Sequence, residues 1–529
     1  MMHYHFSHQH WQTYALNLLN NPIRRVFTRN SFISSKLSLE LLSKLFTKLF
    51  SKIPLALVPL LLLPYSLESQ VLSATTFNYI QGTAPYLTFD GGVTKMTKTE
   101  DLLGIKLSDG RTFTSQNNSS SPTAPIKLPN VGDTFADVEM IVPPSSDSIN
   151  INDLVTQGKW RDDDGDGQGA GGVTALGSIS LAITDKDGNT INRSDALDIC
   201  NAPYKVTLSS TGGNLATQYG VPRSSTFSKE TEDYYINPNL PPKICSVRPN
   251  LDRGIGQHAG LASIWNPAKG FLVQSTNPSS YGLNFPTTGA DGLYFDLDIA
   301  GVDASQLSWT VTTRGDITAT VSWVRPRSGS FIDPWGSTVQ YDNWIRDKSK
   351  NVTRVTLNGP EARSLWSNSN PSQITVPSLP QTFELVGSDR SGNGVRYGFV
   401  LKQWFVNRGA QRTSVSNQTT WCNSLGYRLS RVSDLTNAKC DVNSSRFPCI
   451  NNIDGAMPSS GTFYYRRHVG AGFFTEWGNM NSYADTGFIS NNYWTSDATS
   501  IRNFHVLSTS GGVDGNGNSY SFSAACTTP

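Results

Sequence analysis

The run Ser178-Ile-Ser-Leu-Ala-Ile-Thr184, closed by Asp185-Lys-Asp-Gly188, decides the fold class. Ile179, Leu181 and Ile183 alternate with small or polar residues, so all three fall on one side of an extended chain, whereas a helix would scatter them around its axis. Asp187-Gly188 then supplies a turn. The same alternation recurs at Leu293, Phe295, Leu297 and Ile299, and again at Ile317, Ala319, Val321 and Trp323. It continues through Val352 to Leu357, at Phe383 and Leu385, and, after the turn cluster Asp389 to Gly394, at Val395, Tyr397, Phe399 and Leu401. Composition agrees: 45 Gly, 28 Pro and only 16% charged residues among 529 suit short strands joined by turns.

The expected fold is mostly β, with β-sandwich domains followed by an α+β module. A β-rich domain is placed at 75–283 and an immunoglobulin-like sandwich at 284–410. After Gln411 the pattern changes. Thr419 to Leu429 puts Trp421, Cys422 and Leu425 on one helical face, and Ser433 to Asn437 reads as a second short helix. Phe463-Tyr-Tyr465, Phe473-Phe-Thr-Glu-Trp477 and Asn492-Tyr-Trp-Thr-Ser-Asp497 read as aromatic-rich strands, and the module is placed at 411–529. The six cysteines are even in number with no CxxC pair, which favours disulfides over a zinc ribbon or a redox motif. Cys422 in the first helix and Cys526 in the last strand would tie the module's ends together. Cys440 with Cys449 would close a local loop, and Cys200 is left with Cys245.

The net charge of +2 hides an asymmetry. Residues 1–74 hold seven Lys/Arg against two Asp/Glu, which leaves 36 basic and 39 acidic residues in the rest. An acidic surplus gives little support to a nucleic-acid partner, which would need a basic patch to replace counterions. The apolar run Ile53 to Pro64, preceded by Arg24, Arg25, Arg29, Lys36, Lys44, Lys48 and Lys52, has the polarity of an export signal. It is shorter than the ~20 residues of a spanning helix and is interrupted by prolines, so residues 1–74 are expected to be a leader removed near Val71-Leu-Ser-Ala74.

Several longer runs resemble the large repeat of enterobacterial surface adhesins: Tyr219 to Phe227, Ile264 to Thr276, Leu283-Asn-Phe-Pro-Thr-Thr-Gly289, Gly472 to Met480 and Tyr493 to Asp497. That family carries the repeat beside bacterial immunoglobulin-like domains and a C-type-lectin-like module similar to the tip of invasin and intimin. The resemblance implies a non-enzymatic, exported adhesin at the cell surface, in the outer membrane or secreted, with a host-cell surface protein or glycan as partner. No block of lipid-facing strands matches the family's membrane barrel, so outer-membrane association would need another anchor.

Three constellations are candidates for binding. Asp162, Asp164 and Asp166, with Gly167 behind them, have the spacing of the first half of a calcium loop, whereas position twelve is Val173 rather than Glu. The competing reading is a solvated acidic turn. Arg314-Gly315-Asp316 falls between two strand patterns, where integrin-binding tripeptides sit, and Gly-Asp is also an ordinary turn dipeptide. Trp477, Tyr493 and Trp494 offer flat faces for a ligand and equally suit a small disulfide-braced core. Enzyme chemistry has less to work with. Only His258, His468 and His505 follow the leader, and HExxH, GxSxG and GxxxxGK[ST] are all missing. A secreted polysaccharide-active enzyme, or its binding module, is the alternative reading.

Overall fold

A computed structural model describes residues 81–165, 172–439, 453 and 455–529. Residues 1–74, expected to be a leader, and Asp166, Cys440 and Cys449 lie outside the described residues. The described chain is mostly β and builds two hydrophobic cores.

The first core is covered by the sheet that contains the opening run. Strand Ser178–Thr184 buries Ile179, Leu181 and Ile183 as the alternation demands. It pairs antiparallel with Tyr204–Thr217, which pairs in turn with Ser224–Asn237 from Tyr204 opposite Ile236 to Ala216 opposite Ser224. These two strands are 14 residues each, and Tyr219 and Val221 are exposed in the loop that joins them. Val206, Leu208, Tyr234 and Ile236 point inward along the hairpin.

The second core belongs to a seven-strand sandwich and the module after it. One sheet runs Lys243–Arg248, Tyr294–Ala300, Val352–Asn358, Thr318–Val324, and the other runs Ser308–Thr313, Gln381–Ser388, Gly394–Leu401. In chain order this is A-B-E-D packed on C-F-G, the constant-type immunoglobulin layout. Each alternation from the sequence therefore lands on a strand. The boundary at 283/284 does not hold, because the first sandwich strand is Lys243–Arg248, hydrogen-bonded to Tyr294–Ala300 on the far side of that boundary. Residues between these strands form a small hairpin and 3₁₀ turns against the same core.

The boundary at 410/411 separates neither sheet nor core. Thr288–Ala290 pairs parallel with Gln403–Asn407, which pairs antiparallel with the final strand Ser523–Thr528. One apolar cluster runs from Ile244 through Phe399 to Cys526. The module enters on Gln403–Asn407 and leaves on its neighbour Ser523–Thr528, the C-type-lectin-like arrangement of adjacent ends. Ser414 caps the helix Val415–Ser424 by accepting from the Asn417 N–H, and this helix buries Trp421 and Cys422. The second short helix is Val432–Leu435. Phe473–Trp477, expected as a strand, is a short helix between Gly472 and Gly478, whose positive φ angles let the chain enter and leave the core sharply. Its aromatics at 473 and 477 are four apart and share a face, and a strand would have exposed every second residue. Phe463–Tyr465 is irregular rather than extended.

Two bridges form among the described cysteines, Cys422–Cys526 within the module and Cys200–Cys245. The second joins a 3₁₀ turn of the first region to the first sandwich strand, so it links two domains instead of bracing one.

Candidate functional site

Arg314, Gly315 and Asp316 are exposed where the chain crosses from Ser308–Thr313 in one sheet to Thr318–Val324 in the other. Both ends of the crossing are fixed. Ile317 is fully buried, and Gln381, 2% exposed, donates from Nε2 to the Thr313 hydroxyl at 2.7 Å and to the Ile317 carbonyl at 2.6 Å. Gly315 has φ +139°, and a Cβ there would meet the Gln381 side chain at 2.5 Å, so conformation and space both select glycine. The turn borders the C-terminal module: burial pushes the Tyr427 phenol up, and the Asp316 carboxylate adds to that shift. A guanidinium and a carboxylate are thus presented on a clamped turn, with their side chains in solvent. Sequence reasoning missed Gln381, because a polar residue heading a strand carries no local signal of its role.

The three aromatics are placed differently. Trp477, Tyr493 and Trp494 are each 0% exposed. Trp477 packs on Phe285 at 4.8 Å between ring centroids and on Tyr483 at 5.9 Å, and its indole N–H donates to the Thr288 carbonyl at 2.9 Å. Tyr493 stands edge-on to Phe474, and Trp494 packs between His505 and Phe522 while donating to the Thr413 carbonyl. They form the core of the module, and the reading of them as a ligand-stacking face is corrected.

Glu476, also fully buried, accepts from the backbone N–H groups of Thr287, Thr288 and Gly470 and from both threonine hydroxyls. Burial holds its carboxyl above the usual carboxylate range, and these donors pull it back. Two of the runs that resemble the adhesin repeat, 283–289 and 472–480, therefore meet in space, and their shared residues serve the junction of sandwich and module.

The acidic run divides by side. Asp162 and Asp164 both accept from Thr83, through its hydroxyl at 3.3 Å and its N–H at 3.0 Å respectively. Asp163 accepts from the Tyr86 hydroxyl at 2.7 Å and pairs with Lys95, which holds its carboxyl below the ordinary range. The run thus fastens residues 83–95 to the loop. Among the described residues no cluster of three or more His, Cys, Asp or Glu has the geometry to hold a metal.

Each histidine among the described residues is engaged with backbone or amide groups. His258 Nδ1 is 3.1 Å from the Tyr465 carbonyl, His468 Nδ1 is 2.7 Å from the Val469 carbonyl, and His505 Nε2 is 2.8 Å from the Asn516 amide. None of these is the carboxylate–imidazole–hydroxyl relay of a hydrolase. Among the described residues no helix is long and apolar enough to cross a membrane.

No family model and no curated protein matches the chain. Several solved structures do. The structure of invasin, described as a bacterial integrin-binding protein, matches with a TM-score of 0.29 and 12% identity over 67% of this chain, which spans half of that one. A C-terminal 282-residue fragment of intimin, in complex with the intimin-binding domain of the translocated intimin receptor, matches with a TM-score of 0.27 and 10% identity, covering 67% of this chain and 93% of that one. An adhesin of Yersinia pseudotuberculosis matches with a TM-score of 0.14 and 11% identity over 70% of this chain and 90% of that one.

Proposed function

We propose that the chain is an exported, non-enzymatic adhesin that attaches to a host-cell surface protein through the Arg314-Gly315-Asp316 turn, after removal of the leader and with outer-membrane association through an anchor still to be identified. The observation that supports this most is the clamp: Gln381 fixes both ends of a turn whose charged side chains remain exposed, so little ordering entropy is lost on binding. The chemistry suits a receptor that offers a divalent cation to the Asp316 carboxylate and an acidic group to the Arg314 guanidinium.

The test is attachment of cultured cells to the immobilised full chain. Asp316→Glu keeps the charge and moves the carboxylate outward by one methylene, and it should abolish attachment while the melting temperature stays unchanged. A soluble Arg-Gly-Asp peptide should compete. Undiminished attachment of the variant, or failure of the peptide to compete, removes the turn from the binding surface.

A further inference from the structure

A groove of about 1030 Å³ lies over the outer face of the A-B-E-D sheet, where sandwich and C-terminal module meet. Ser322, Arg354 and Thr356 form its floor in adjacent strands. Ile332 from the Ser330–Ile332 hairpin, Arg363 and Trp366 from the loop after Asn358, and Asp485 from the module complete the lining.

Three of its four arginines are paired with carboxylates, and the fourth, Arg325, donates to the Ser349 carbonyl at 3.0 Å. Arg327 donates to the Asp485 carboxylate at 2.5 Å, and Arg363 pairs with Asp291 at 2.8 Å. Arg354 is compensated by Asp296, opposite it in the neighbouring strand, at 2.8 Å and by Asp342 at 3.0 Å. A phosphate or sulfate entering here would face Asp291 and Asp485, and an amine would face the arginines. Arg363 also donates to the Asp485 backbone carbonyl, and Asp291 also accepts from the Gly359 N–H. With five N–H donors on a guanidinium and about four lone-pair sites on a carboxylate, spare capacity of both kinds remains. The Arg363 and Asp485 side chains keep 38% and 62% of their surface, so this capacity faces the solvent. Half-buried Trp366, held by its indole N–H on the Asn407 carbonyl, adds an apolar ring surface.

We infer that this groove binds a neutral oligosaccharide, whose hydroxyls donate and accept at once and carry no charge for either sign to reject. The volume is at the upper end of small-molecule sites, roughly 300–1000 Å³, which favours several sugar units over one. The site is separate from the Arg314–Asp316 turn and does not depend on it.

The full chain is titrated calorimetrically with neutral gluco-, manno- and galacto-oligosaccharides, with heparin and a sialylated oligosaccharide as anionic probes. One neutral series should bind, with an affinity that stays constant as salt is raised. Arg363→Gln and Asp485→Asn should each weaken it about tenfold, the scale of one lost charged hydrogen bond, with no change in melting temperature because both groups are partly exposed. Asp316→Glu should bind sugar like the parent, which separates this site from attachment through the turn. The inference is overturned if no neutral series binds, if only the anionic probes bind and salt removes them, or if both groove variants bind as the parent does.

Discussion

Replacing Trp477 by alanine separates the two readings of the module's aromatics. As a ligand-facing residue, Trp477 would be removable without loss of stability. The structure gives the opposite expectation. The side chain is fully buried among Phe285, Phe295 and Tyr483, and truncating a buried tryptophan costs about 3–5 kcal/mol in transfer and cavity terms. The Thr288 carbonyl also loses its partner, adding about 1 kcal/mol. A total near 4–6 kcal/mol corresponds to a melting temperature lower by about 8–24 °C at ~2–4 °C per kcal/mol. Because Phe285 and Phe295 belong to the sandwich side of a continuous core, the loss should reach both parts. Hydrogen exchange read at Val355 and Phe383 in the sandwich and at Val506 in the module measures this, since each backbone amide lies in a core strand. Trp477→Phe should recover most of the loss. The reasoning fails if the melt is unchanged, or if Val506 loses protection while Val355 and Phe383 keep theirs, because the two parts would then unfold independently.

Further outcomes follow from other sites. Cys422→Ser opens a loop of 104 residues and should lower stability by about 4–5 kcal/mol; mass mapping that paired Cys422 with a cysteine other than Cys526 would contradict the assignment. His505 is held down at about 4 by burial between Trp494 and Phe522, below its unfolded value of about 6.5, so its neutral form stabilises the fold above pH ~6.5. That contribution, about 3 kcal/mol, is lost as pH falls from ~6.5 towards 4, and in urea titrations His505→Gln should flatten the acid slope; an identical slope in the variant refutes the assignment. Calcium held by Asp162, Asp164 and Asp166 predicts that a chelator lowers the melt of the first core, and an unchanged melt with no bound calcium leaves the run as a fastener for Thr83, Tyr86 and Lys95.

Strands were legible wherever one face is buried, because the period of two is written in consecutive residues: Ile179 to Ile183 and Val395 to Leu401 fall as expected. The boundaries were not legible, since they are set by pairing between distant segments. Nothing local in Thr288–Ala290 reports that it lies beside Gln403–Asn407, and nothing in Lys243–Arg248 reports that its partner begins at Tyr294. Aromatic content reads alike for a core and for a contact face, and only the four-residue spacing of Phe473 and Trp477 favoured a helix turned inward. The Arg-Gly-Asp turn could be placed because strands flanked it, whereas the groove joins side chains from segments as distant as Asp291 and Asp485 and has no motif.

The Cys200–Cys245 bridge changes how the chain would carry a pull. Residues 201–244, which include both long hairpin strands, lie off the covalent path from one end of the molecule to the other. Tension applied along the chain passes through the sulfur atoms and leaves the hairpin unloaded. Reduction would place that segment in series and release about 150 Å of contour at ~3.4 Å per residue, so the oxidised chain is stiff where the reduced chain would give.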